Sequence, residues 1–571
     1  MTRRLSPPVL LPDGSEFRTW EAEPRFARTY YVAQKHPRAS DGNPGTQDAP
    51  FETIGKAAEV LTPGERVVVR EGVYREHVKP ARGGTSPTAM ISYEAAPGET
   101  VVIKGSKVFA EKWTPSKHEG KAPKGIWQAK LAPRYFPDWN PFDLPNVTKD
   151  QFDHMSWAHA LRGRLPYTLP RGMVFQDGRL LKQVTRYDVL ANNPGSYWVD
   201  RPAQVVHIHP RRGGDPNGRL FEITTERVAF GPEQMGLGFI RVKGFVVEQV
   251  ANCFPMQQEG AISTWRGHHW MIEDCTVRWA NGVGIDLGLQ AGWWPQPEVI
   301  GKHICRRNTI EDIGVCGIAG IGVHGDFGLL IEDNVLRRCA WHNVERLYET
   351  GGIKTHRNTR CLIRRNLILD TLHGAGIWMD FTNDNARCTQ NVIIGTRTQR
   401  FGAIFIEASC RPNLIDHNIL WDTRGCGIYE HDCSHQVVAH NLIGHSTKAA
   451  VVLRGKVTNR KLYGQPIASG DHRVVNNVFV ENKPNRVVQH KGKSDVGGNL
   501  ARGVQATLDR GTLTLTWSAS GKLPACTILN SITHDFLGAE RRRQGRRPGP
   551  FRDIPAEPTA VPLRRGAPVR P

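Results

Sequence analysis

The sequence predicts an all-β chain, a right-handed parallel β-helix with an inserted β-sandwich-like domain. Three observations point there. An asparagine recurs about every 25 residues, the apolar runs are three to six residues long and β-branched between Gly, Asn and Asp turns, and no run between residues 235 and 500 has helical length. The recurring residues are Asn308, Asn334, Asn366, Asn391, Asn418, Asn441 and Asn477, at spacings of 26, 32, 25, 27, 23 and 36. A period near 25 with occasional insertions describes a solenoid whose coils differ in loop length. Like positions of successive coils then stack at the strand spacing of about 4.8 Å, and the Asn column is expected to form a side-chain ladder inside a turn.

Residues 1–29 read as an N-terminal arm and residues 30–105 as the first coils. Between Pro50 and Pro63, the residues Ile54, Ala57, Ala58 and Leu61 fall at helical spacing, which predicts an amphipathic helix covering the open first coil. The coil pattern stops after Val101-Val102-Ile103 and resumes at Phe239-Ile240-Arg241-Val242. Between them lie short alternating segments such as Gly125-Ile126-Trp127-Gln128-Ala129-Lys130 and Val205-Val206-His207-Ile208, separated by Pro- and Gly-rich turns. They predict a small β-sandwich over residues 106–228, either walling one end of a cleft or serving stability and assembly. The main helix is assigned to residues 229–535. Residues 536–571 are expected to be a disordered tail: from 541 onward it holds nine Arg against Asp553 and Glu557, contributing +7 to a net charge of +20, with no apolar face to bury.

The chemistry is expected at Asp380 and Glu407. They lie 27 residues apart, and each precedes a ladder asparagine by 11, so they occupy the same position on successive coils. Alternation puts Ile377, Met379, Ile404 and Ile406 into the core and turns Trp378, Asp380, Phe405 and Glu407 outward. By the same rule Lys354, His356, Tyr429 and His431 join the outer strip. Stacked carboxylates repel, which should force one pKa upward. Two carboxyls about 5 to 5.5 Å apart suit retaining glycoside hydrolysis, in which one attacks the anomeric carbon and the other protonates the leaving oxygen. Trp378 and Phe405 are candidate apolar faces for a sugar ring, with His356 and Lys354 as polar binding groups.

At these residues the chain resembles the glycoside hydrolase family 120 β-xylosidases. The likeness runs from Tyr30-Tyr31-Val32-Ala33 to about Asn477 and includes Asp48-Ala49-Pro50-Phe51-Glu52-Thr53-Ile54 and Glu71-Gly72-Val73-Tyr74, which many β-helix proteins share. More specific are Glu349-Thr350-Gly351-Gly352-Ile353-Lys354, Ile377-Trp378-Met379-Asp380 and Phe405-Ile406-Glu407. The resemblance implies that Asp380 is the nucleophile, Glu407 the general acid/base and Glu349 a residue of the sugar subsite. It also implies an aromatic delivered from the inserted domain, for which Trp157 is the nearest candidate. Tyr348 stands where the family pattern expects a histidine. The expected activity is an exo-acting β-xylosidase on short xylo-oligosaccharides.

Composition narrows the alternatives. A uronic-acid lyase or epimerase would use an outward base such as Lys354 and draw on the positive charge, whereas a non-enzymatic carbohydrate-binding solenoid would carry its acids incidentally. Neither needs two carboxylates one coil apart. No basic groove interleaved with aromatics supports a nucleic-acid partner, so an oligosaccharide is the expected partner, with self-association left open. The 11 cysteines include no Cys-x-x-Cys pairs, and Cys305 and Cys388 read as interior fillers, so no cofactor or metal is expected. The N-terminal apolar run is too short and too rich in proline for a signal segment, and no run of 18 apolar residues predicts a membrane span. The cytoplasm is the default expectation.

Overall fold

The computed structural model describes residues 3–154, 163–254, 259–288, 301–321, 328–345, 350–462, 464–541 and 547–563. Three parallel sheets of 13, 11 and 9 strands build a solenoid, and from Ile240–Lys243 to Val487–Gln489 each coil contributes one strand to each sheet. The interior is one continuous aliphatic column, including Ile272, Ile310, Ile318, Ile353, Ile377, Ile404, Ile428 and Ile443. Strands buried on both faces read as near-continuous Val, Ile and Leu runs, as parallel sheets require.

The asparagines form the expected ladder. The main-chain N–H and Nδ2 of Asn391 both donate to Asn418 Oδ1, at 3.1 and 2.9 Å, while Nδ2 also reaches back to the carbonyl of Ile363 at 3.1 Å. The pattern repeats from Asn308 to Asn477 and extends one coil further, to Asn499. Each amide thereby satisfies turn backbone that the parallel sheets leave unpaired. Cys305 and Cys388 are buried beside the ladder, each 3.4 Å from an asparagine Nδ2.

Close approach between sheets requires a small residue at the head of several strands of the nine-stranded sheet. A Cβ on Gly376 would lie 2.5 Å from Ile393 Cγ2, and one on Gly427 would lie 2.2 Å from Ile443 Cγ2. At the N-terminal end a helix, Ile54–Val60, buries Ile54, Ala57 and Ala58 over the first coil, and the Thr53 side chain accepts from the N–H of Lys56 as its cap. No helix among the described residues is long and apolar enough to cross a membrane.

Between the strands Val101–Lys104 and Ile240–Lys243, a five-stranded and a four-stranded sheet enclose a separate core that includes Phe109, Trp113, Phe142, Val206 and Ile223. The N-terminal segment lies along the solenoid, where Leu5, Val9, Leu11 and Phe17 pack on Met271, Ile304, Leu330 and Leu362.

The C-terminal region departs from expectation. Residues 547–563 are not a free tail: Thr559–Pro562 pairs antiparallel with Thr514–Ala519, which pairs with Val504–Asp509. Phe536, Phe551 and Leu563 cover an apolar strip of the eleven-stranded sheet that includes Leu367, Val392, Ile419 and Leu442. Arg541 is buried, and its guanidinium donates to the carbonyls of Arg547, Gly549 and Phe551 and to His417 Nε2. A basic composition therefore does not leave this segment unfolded, because three apolar side chains and one arginine anchor it.

Candidate active site

Four neighbouring strands of the nine-stranded sheet build the site: Gly351–His356, Ala375–Asp380, Arg397–Glu407 and Arg424–His431. Their register pairs Lys354 with Trp378, Trp378 with Phe405 and Phe405 with Tyr429. Further along the strands, Met379 pairs with Ile406 one residue on, and His356 with Asp380 and Glu407 with His431 two residues on. Continuing the Met379–Ile406 register by one residue sets Asp380 beside Glu407 on the adjacent coil. Ile377, Met379, Ile404 and Ile406 lie in the central core, so the two carboxylates turn the other way.

The carboxylates have different cationic neighbours. Asp380 Oδ2 lies 3.1 Å from Lys354 Nζ and 3.9 Å from His356 Nε2. Burial works to raise its pKa, but Lys354, His356 and Arg460 outweigh it and hold the carboxyl below its ordinary value. Burial drives the His356 imidazole down to about 3, so it is neutral near pH 7 despite Asp380. Glu407 Oε1 instead accepts from Arg460 Nη2 at 2.6 Å and lies 3.2 Å from His431 Nε2. The expectation that repulsion would raise one of the pair is thus not met at Asp380, because Lys354 sits between it and the aromatic wall, 5.0 Å over the Trp378 ring.

The strip faces outward yet is not exposed. Asp380 is 7% exposed and Lys354 1%. Phe405 is fully buried, with Phe401 stacked on it at 4.1 Å and 6° and Trp378 at 4.9 Å. It therefore has no free face for a sugar ring and serves as backing for Trp378. The ring of His356 stacks on Phe381 at 5.5 Å, and its Nδ1 has no partner among the described residues. Among the described residues Trp378 Nε1 is likewise buried without a partner. Glu349 and Trp157 lie outside the described residues.

Arg460 was not legible from the repeat, because it comes from the long insertion between Asn441 and Asn477. Asp432 secures its loop: it accepts from the N–H groups of Val457 and Thr458 at 2.7 and 3.1 Å, from Thr458 Oγ1 at 2.6 Å and from Arg460 Nη2 at 3.1 Å. Phe401 was also missed, since it enters through an irregularity in strand register between Arg397 and Gly402. Glu430, on the core side beside His431, is pushed up to about 8 by burial and lies 3.6 Å from His472 Nε2.

Residues 260–443 match the family model described as the right handed beta helix region. The fold is a right-handed parallel β-helix. Among solved β-helix structures, that of XylC in complex with xylose aligns over 93% of this chain and 99% of its own, with a TM-score of 0.73 and 23% sequence identity. At that identity the likeness bears on the fold. A structure named simply as a glycoside hydrolase aligns over 83% of this chain and 97% of its own at a TM-score of 0.41 and 13% identity. Among curated proteins, the uncharacterized protein YwoF of Bacillus subtilis (strain 168) is 40% identical over 82 residues. That match spans 14% of this chain and 17% of YwoF, so it covers a small part of either molecule.

Proposed function

We propose that this β-helix is a retaining glycoside hydrolase that removes β-linked xylose from the ends of short oligosaccharides. The observation that carries the reading is the placement of Asp380 and Glu407 on adjacent coils with unlike partners. Asp380, held as a carboxylate by Lys354, would attack the anomeric carbon as the bond to the leaving oxygen breaks. Glu407 would pass its proton to that oxygen. In the second step Glu407 would take a proton from water, whose oxygen attacks the same carbon and releases the sugar from Asp380. Because Arg460 occupies Glu407 Oε1, its loop must shift for that oxygen to reach a glycosidic oxygen. Fold-level likeness to XylC, seen with xylose, supports the choice of sugar, as do the sequence motifs shared with family 120. The lyase reading is weakened by Lys354, whose ammonium is committed to Asp380 and which is almost wholly buried.

Aryl glycosides test the proposal. The β-xyloside should release nitrophenol with wild type, and Asp380→Asn should reduce turnover by at least about a thousandfold. Glu407→Gln should lose about 10² to 10⁴ in rate on natural linkages and less on nitrophenyl leaving groups, which need little protonation. The first-formed xylose should be the β-anomer by NMR. Full turnover in Asp380→Asn, or an α-anomer product, would overturn the reading.

A further inference from the structure

The inserted domain carries a cluster of ligating groups remote in the chain from the carboxylate strip. Strand Ser196–Asp200 runs antiparallel to Val205–His209, with Trp198 opposite His207 and Asp200 opposite Val205. Alternation then sets Asp200, Trp198 and His207 on one face of that sheet. His118 comes to the same place from a tight turn closed by reciprocal backbone hydrogen bonds with Lys121, at 3.0 and 2.9 Å. One ligand atom from each of His118, Asp200 and His207 lies within 4.8 Å of the others, and His118 Nδ1 is 3.2 Å from Asp200 Oδ2.

The surroundings orient these rings. His118 packs between Tyr187 and Trp198, at centroid distances of 4.9 and 4.8 Å. His207 is 1% exposed and packs against the same two rings, at 5.1 and 5.3 Å. Its Nδ1 is hydrogen-bonded with Ser116 Oγ at 2.8 Å, and that hydroxyl is in turn 2.8 Å from the Tyr187 hydroxyl. A ring nitrogen fixed in this way leaves Nε2 as the coordinating atom, the usual arrangement around ligating histidines.

We propose that His118, Asp200 and His207 bind one divalent transition metal ion, with Zn²⁺ the best fit. Two imidazoles and one carboxylate match its preferred donors, whereas Ca²⁺ and Mg²⁺ take oxygen-rich shells. Bonds of about 2.1 Å in a tetrahedron separate ligand atoms by about 3.4 Å, which small rotations of the half-buried His118 and Asp200 supply. Water fills the fourth position. Such an ion would staple the 118–121 turn to the sheet, and its binding would add to the stability of the domain. An ordinary His118–Asp200 hydrogen bond is the competing account, and it gives His207 no part.

Titration of the full-length protein with CoCl₂ tests this. Binding of one equivalent is expected, with visible d–d bands, no thiolate charge-transfer band, and displacement by ZnCl₂. His118→Ala and the near-isosteric Asp200→Asn should each weaken binding at least tenfold with unchanged far-ultraviolet circular dichroism. Substitution of the exposed His490 by Ala should leave binding intact. Wild type, but not His118→Ala, should melt at higher temperature with ZnCl₂. Absence of the bands, thiolate bands that place the metal on cysteines, or unchanged binding in both ligand variants would overturn the proposal.

Discussion

Glu430 shows how far one coil position can be taken from its solution chemistry. Its carboxyl is buried and pushed up from 4.5 to about 8, so between those values the folded state binds a proton that the unfolded state releases. The resulting stability is fully present below pH 4.5 and is lost as pH rises towards 8. Glu430→Gln cannot release that proton. Its melting temperature relative to wild type should therefore climb between pH 4.5 and 8 and level off above, as scanning calorimetry across that range would reveal. A flat difference would mean that Glu430 ionises normally. Asp380 is the opposite case. Lys354→Met removes the nearest cation holding its carboxyl down, so the acid limb of kcat/KM should move to higher pH. An unmoved limb would assign that limb to another group. Alternation along the sequence separated core from outer side chains at Ile377, Trp378, Met379 and Asp380. Fractional burial was not legible there, because the residues that cover the strip, Phe401 and Arg460, come from an irregular strand and a loop that follow no repeat.

The asparagine ladder is the element most nearly written in the sequence, since its spacing alone located seven of its members. Asn499 escaped notice because it follows two glycines and is succeeded by a single Leu before the pattern ends. Asn391→Ala would leave the N–H of Asn366, one of its two Nδ2 protons and the carbonyl of Ile363 without their partner, while the other Nδ2 proton keeps the carbonyl of Ile331. Buried unmet groups each cost about 1 to 3 kcal/mol, so a loss of about 3 kcal/mol is expected in urea unfolding. Near-wild-type stability would show that water replaces the amide. The loop from Val457 to Arg460 illustrates what a repeat cannot encode. Asp432 follows His431 directly, and its position could be read from the coil, but the segment it clamps could be found only by folding.

At the scale of the molecule, the three sheets and the inserted sandwich follow from short strands and turn residues, whereas the fate of the termini does not. The final segment looked unfoldable by charge, yet Phe536, Phe551 and Leu563 are enough to seat residues 547–563 on the eleven-stranded sheet. Deleting residues 536–571 should cost about 5 kcal/mol, at about 1.5 to 3 kcal/mol for each large apolar side chain. It should also raise the binding of a hydrophobic dye, because Leu367, Val392, Ile419 and Leu442 lose their cover. Unchanged stability and dye binding would mean that the segment rests on the sheet without contributing to it.

The ladder also has a direction. Each ladder asparagine from Asn308 to Asn477 gives its main-chain N–H and one amide proton to an oxygen on the coil that follows it in sequence. A chain emerging from the ribosome therefore always presents two unanswered donors at its growing tip, and each is met only by the next stretch to be made. Synthesis and zippering run the same way, so a coil that stalls leaves an open, hydrogen-bonding end to which a coil of another nascent copy could bind in place of its own successor.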